Sequence, residues 1–247
     1  IIPPLRGFRK ITMAYRQSPF ANLTPVVKNL LIINFICFLP FLLFDHGNPG
    51  GPVSTLFGVY YFNSPAFRPW QIITYMFMHG GFEHILFNML GLFMFGPILE
   101  YAIGAKKFLN LYLICGIGAI AFQWLVQAVE IYHITGGVTI SQPQLDESYM
   151  QYGIHGQQLY DIYHGSVVGA SGAIFGILVG FAMLYPDMEL MVLFIPVPVK
   201  AKYLIPGYIA IEIWSTISPS ATDNVAHLAH LGGALLGFIM IKIWRYK

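Results

Sequence analysis

SVVGASGAIFGILVGFAMLY, running from Ser166 to Tyr185, is the stretch that decides the fold. It contains no charged residue and is about as long as a helix must be to cross the hydrocarbon core of a bilayer. Gly169, Gly172, Gly176 and Gly180 recur in it at helical spacing. A stripe of small residues lets a second helix approach closely. Ser171 places one hydroxyl on that stripe, where polar groups are costly and therefore candidates for function.

The rest of the chain fits a membrane setting. Of 247 residues, 56% are hydrophobic and only 10% charged, against about 25% charged in soluble domains. The mean hydropathy is +0.64. Five further apolar stretches are predicted as spans: Val26–Phe44, Ile72–Leu99, Phe108–Ile131, Tyr203–Ile217 and Val225–Trp244. The start of Ile72–Leu99 is polar, and Tyr203–Ile217 is interrupted by Pro206 and Gly207. Met188–Val199 is short, contains Pro196 and Pro198, and reads as interfacial or as a tight return, not as a seventh span. The prediction is an all-α membrane protein, one six-span bundle occupying 1–247. Residues 1–25 form a basic segment without the pattern of a cleavable signal peptide, and 132–165 form a long loop rich in Gln, Tyr and Gly. Cys37 and Cys115 lie in apolar runs and suggest neither a disulfide framework nor zinc.

Charge sets the orientation. With six spans, twelve basic residues fall on one face: Arg6, Arg9, Lys10, Arg16, Lys28, Lys106, Lys107, Lys200, Lys202, Lys242, Arg245 and Lys247. Arg68 alone falls on the other. Both termini are therefore expected in the cytoplasm, and the 132–165 loop outside.

Three polar clusters share the expected outer half. Ser171 lies roughly one to two turns into its span. Ala226-His227-Leu228-Ala229-His230-Leu231-Gly232-Gly233 opens the last span, and His230, Gly233 and Gly237 share one helical face. His79-Gly80-Gly81-Phe82-Glu83-His84 leads to Asn88, with His84 and Asn88 stacked at i and i+4. Each has an alternative reading: a packing serine, a histidine pair for a metal or a carbonyl, and interhelical hydrogen bonds. A nucleophile, a base and oxyanion donors, however, must share one level.

His79–Asn88, Gly169–Gly176 and Ala229–Gly233 together resemble the signatures of the rhomboid family of intramembrane serine proteases, from about Pro69 to the end of the chain. The resemblance implies Ser171 as nucleophile and His230 as base, a dyad without a carboxylate. It implies His84, Asn88 and the Ser171 N–H as oxyanion donors, and Phe175 as a ring packed on the imidazole. Gly169, Gly172, Gly233 and Gly237 would support the close approach. His230 is preferred to His227 because only His230 has glycines at i+3 and i+7. Where relatives often carry Trp-Arg before the second span, this chain has Trp70-Gln71.

The resemblance also implies single-span membrane proteins as substrates, the bilayer as partner, no nucleic acid and no metal or organic cofactor. The expected location is a bacterial inner membrane with the site toward the outer face. One alternative is a rhomboid-like protein that binds membrane clients without cutting them. Another is an ion or proton path, for which Glu212 in the fifth span is the best candidate among Glu83, Glu100, Glu130 and Glu212.

Overall fold

The computed structural model describes residues 23–141, 143, 147–191, 197–218 and 225–245. Most of the basic N-terminal segment, residues 1–22, lies outside them, as do Asp146, Asp223 and Lys247. In chain order the helices are α1 (Pro25–Phe44), α2 (Pro52–Phe57), α3 (Gln71–Thr74), α4 (Phe82–Ile103), α5 (Ala105–Thr135), α6 (Glu147–Met150), α7 (Gly156–His164), α8 (Ser171–Leu184), α9 (Ala201–Ile217) and α10 (His227–Ile243). Between α8 and α9, β1 (Glu189–Met191) pairs antiparallel with β2 (Pro198–Lys200), with Leu190 opposite Val199. The tight return predicted for Met188–Val199 therefore contains a hairpin ladder, a small exception to the all-α reading.

α1, α4 and α5 are long and apolar enough to cross a membrane; α8 and α10 are shorter apolar helices. α1 buries Val27, Leu30, Asn34, Phe38 and Phe41 along one stripe. Its other faces expose Ile32, Ile33, Phe35, Ile36, Leu39 and Leu43. A helix apolar all round is stable only where lipid or protein covers every face. Its start is anchored by an acid from another helix. The Glu100 carboxylate accepts Thr24 Oγ1–H at 2.5 Å and the N–H groups of Val26 and Val27 at 3.1 and 2.9 Å. Those amides have no partner within their helix, and negative charge is favoured there. Glu100 is thus a cap.

α4 turns directly into α5 through Gly104, whose φ of 84° suits glycine. α8 is the central element, buried without a break from Gly172 to Phe181. At about 1.5 Å per residue it is only about 21 Å long, short of a full crossing. The sequence predicts the span from Ser166, but the helix starts at Ser171 itself. Residues before it are extended: Val167 pairs with Val59 through N–H···O bonds of 2.8 and 2.9 Å. Pro206 and Gly207 do not interrupt the fifth apolar stretch either; α9 runs through them unbroken.

The 132–165 segment is ordered over its described part. It extends α5, adds α6 and α7, and buries a second core of Tyr61, Ile131, Ile140, Tyr149, Leu159, Ile162 and Tyr163. Ser64 Oγ–H donates to the Tyr163 carbonyl at 2.5 Å, and Ile140 N–H to the Tyr163 hydroxyl at 3.0 Å. The loop after α1 and the 132–165 segment thus form one cap. Gln71 knits the first of these: its side chain accepts Arg68 N–H at 2.9 Å and donates to the carbonyls of Thr55, Leu56 and Ala66 at 3.2–3.3 Å.

Candidate active site

Glycines bring the site together. A Cβ on Gly233 would overlap the Gly172 carbonyl, and one on Gly237 would lie 2.5 Å from the Gly176 oxygen. A Cβ on Gly172 would lie 2.5 Å from Ala119 Cβ on α5. Backbone therefore meets backbone between α8 and α10. Ser171 precedes Gly172 by one residue, and His230 precedes Gly233 by three, so the contact carries the two side chains to one spot. Ser171 Oγ and His230 Nε2 are 2.7 Å apart. His227, one turn earlier, does not take that position.

Ser171 is the first residue of α8, and the first helical bond runs from Ile174 N–H to the Ala170 carbonyl. The amides of Ser171, Gly172 and Ala173 lie ahead of it, at the end of a helix where developing negative charge is favoured. Gly169 sits outside the helix, so the predicted four-glycine stripe loses its first member. Its φ of 127° turns the chain, and its N–H bonds the Tyr75 carbonyl at 2.9 Å. A Cβ there would also lie 2.6 Å from His84 Nε2 and 3.6 Å from Ser171 Oγ. His84 thus faces the same small space as the serine.

His84 Nδ1 accepts Gly80 N–H at 3.4 Å, which leaves Nε2 as its donor. One turn on, Asn88 is buried, and its Nδ2 has no hydrogen-bond partner among the described residues. A buried amide donor left unmade is costly and calls for an explanation. Phe175 stacks on His230, ring centroids 4.5 Å apart and 11° from parallel, and Tyr208 of α9 also stacks on Phe175, at 5.5 Å.

One group at the site is not expected from the resemblance. Glu212 of α9 is buried, and its Oε2 lies 2.9 Å from His230 Nδ1 and 2.6 Å from His227 Nδ1. The predicted pair thus carries a carboxylate on its far nitrogen. The sequence singles out Glu212 as an intramembrane acid but gives no sign of its partners, which lie on another helix. Glu212, His227 and His230 are also, among the described residues, the compact group with metal-donor atoms. The carboxylate oxygen lies at hydrogen-bond distance from each of the two ring nitrogens. Two adjoining cavities of about 460 and 170 Å³, sharing Gln123 and Leu228, run from Gln127, Glu130, Gln158 and Asp161 to His227.

Apolar helices, three of them long enough to cross a membrane, surround a partly buried, hydrogen-bonded serine–histidine pair at a helix N-terminus, and this is the build of an integral membrane protein. The family model described as "Rhomboid domain" matches residues 66–247. This chain belongs to the rhomboid family.

Among its relatives is "Putative rhomboid protease YdcA" of Bacillus subtilis, 30% identical over 176 residues, covering 70% of this chain and 68% of that protein. "Rhomboid protease AarA" of Providencia stuartii is 31% identical over 174 residues, 69% of this chain and 54% of that protein. "Rhomboid protein 1, mitochondrial" of Saccharomyces cerevisiae is 26% identical over 171 residues, 68% of this chain and 40% of that protein. The match thus spans about half the length of the latter two.

Proposed function

We propose that this chain is an intramembrane serine endopeptidase, a hydrolase that cuts transmembrane segments of other membrane proteins. The observation that carries this reading is the 2.7 Å contact between Ser171 Oγ and His230 Nε2. That is hydrogen-bond reach for a nucleophile and its base. His230 takes the hydroxyl proton as Ser171 Oγ bonds to the scissile carbonyl carbon. The carbonyl oxygen becomes an oxyanion, which Ser171 N–H, His84 Nε2–H and Asn88 Nδ2–H are placed to receive. An oxyanion would give the buried Asn88 donor the partner it lacks. Collapse expels the amine, which takes the proton from His230. Water then hydrolyses the acyl-enzyme by the reverse sequence.

In this reading the chain crosses the membrane six times with both termini in the cytoplasm. The site opens toward the outer face of a bacterial inner membrane. The open cavity lined by Gln123, Gln127, Glu130, Gln158 and Asp161, with the adjoining one that reaches His227, is suited to admit water toward it. Substrates are single-span proteins with small residues at the cut, entering past Pro206 and Gly207 on exposed α9. The test is cleavage of a model transmembrane substrate in liposomes. Wild type should cut it and Ser171→Ala should not. Binding without cutting by wild type would instead favour a client-binding role.

A further inference from the structure

We infer that Glu212 is a positioning residue of this site, one that fixes the tautomer and orientation of His230, and that His227 holds Glu212 for the task. The inference rests on the protease reading for its consequence in catalysis, but not for its geometry. A carboxylate is an acceptor only. Its Oε2 is within reach of both imidazole Nδ1 atoms, at 2.9 Å for His230 and 2.6 Å for His227. Both rings must then carry their proton on Nδ1. That leaves the Nε2 lone pair of His230 aimed at Ser171 Oγ, 2.7 Å away, the form a general base requires.

Phe175 lies flat on the ring and sets its plane. A flat contact cannot distinguish the two tautomers, whereas Glu212 can. When Ser171 transfers its proton to Nε2 and its oxygen pair bonds the substrate carbon, His230 becomes an imidazolium. The Nδ1 proton stays on the ring, facing a buried carboxylate, where opposite charges attract more strongly than in bulk water. The cost of burying Glu212 argues in the same direction. An intramembrane acid persists when it is paired, and this one has two partners on α10. His227 prevents the carboxylate from swinging out along α9.

The experiment uses the full chain with a cleavable transmembrane substrate, and ¹⁵N-histidine NMR of the same preparations. Glu212→Gln keeps the size and an acceptor oxygen but removes the negative charge that faces both rings, so the tautomer is held more weakly and the imidazolium is left without its counter-charge. It should lower kcat by about 100-fold or more with KM little changed, as expected when an interaction matters chiefly in the transition state. Glu212→Asp should recover part of the loss, and His227→Ala should cost less than either. In the wild type, His230 should appear as the Nδ1–H tautomer, and in Glu212→Gln its Nδ1 signal should shift.

Glu212→Gln with wild-type kcat, or a change in KM alone, overturns the proposal, as does an unchanged His230 spectrum. Should wild type fail to cut while the spectra behave as described, the protease reading falls and the positioning role stands.

Discussion

α8 and α9 are neighbours that stand to the site in opposite ways. α8 is buried continuously from Gly172 to Phe181 and meets α10 backbone to backbone. α9 buries only Ala201, Ile205 and Glu212 and exposes Tyr203, Ile211, Trp214 and Ile217. The proposed nucleophile thus rides on a continuously buried helix, and the carboxylate rides on a lightly held one. Precision between Ser171 and His230 comes from glycine contacts that cannot slip. The link from α9 comes from one acid and from the Tyr208 ring, neither of which takes part in the glycine contacts between α8 and α10.

The same contrast orders the expected effects of substitution. Gly233→Val should do the most, because its side chain would enter the Gly172 backbone. Overpacking costs about 1–3 kcal/mol where neighbours can shift, and a backbone carbonyl can shift little. We expect loss of the cooperative thermal transition in detergent. A Gly233→Val protein that melts like wild type would break the comparison.

Next comes the histidine pair. His230→Ala should lower activity by about 10²–10⁴-fold, the usual contribution of a general base. His227→Ala should retain most of it, and turnover assays on both would expose a reversed assignment. Gly207→Ala on α9 should have a small effect of the opposite sign, since nothing lies within 4 Å of a Cβ there. Helix propensity alone would stabilise by up to about 1 kcal/mol, read as a raised thermal midpoint.

The smallest effect belongs to the turn between α8 and α9. Asp187 accepts from Lys202 Nζ at 2.7 Å and from Lys200 Nζ at 3.4 Å, and these hydrogen bonds hold its carboxyl below the usual range. A depressed carboxylate stabilises the fold above its unfolded value and loses that contribution as pH falls through the depressed one. Asp187→Asn should therefore lower the thermal midpoint slightly at neutral pH and not in strong acid. Salt should erase even that, because the pair is exposed.

Much of the site was legible in the sequence because its signals are local. His84 and Asn88 are one turn apart, and Gly233 and Gly237 follow His230 at helical spacing. Those two glycines pointed to His230, the histidine that lies 2.7 Å from Ser171 Oγ. What was not legible depends on contacts across the fold. The start of α8 at Ser171 follows the turn at Gly169, which is tied to the Tyr75 carbonyl of a distant segment and leaves room for His84. From sequence Gly169 looks like one more helical glycine. Glu212 shows as a lone acid in an apolar stretch, which suggests an ion path as readily as a site. Its partners lie 15 and 18 residues on, across a helix boundary, where no periodicity relates them. Pro206-Gly207 looks like a break because local propensity disfavours helix there, but α9 continues through both. The cap built from α6 and α7 was hidden for a similar reason. Its core draws on Tyr61, about a hundred residues before Tyr163.

Labelling with a fluorophosphonate tests the central claim most directly, because it reads the nucleophile without needing a substrate. In detergent or liposomes the wild type should label on Ser171, and Ser171→Ala and His230→Ala should not. Equal labelling of wild type and Ser171→Ala would contradict the account.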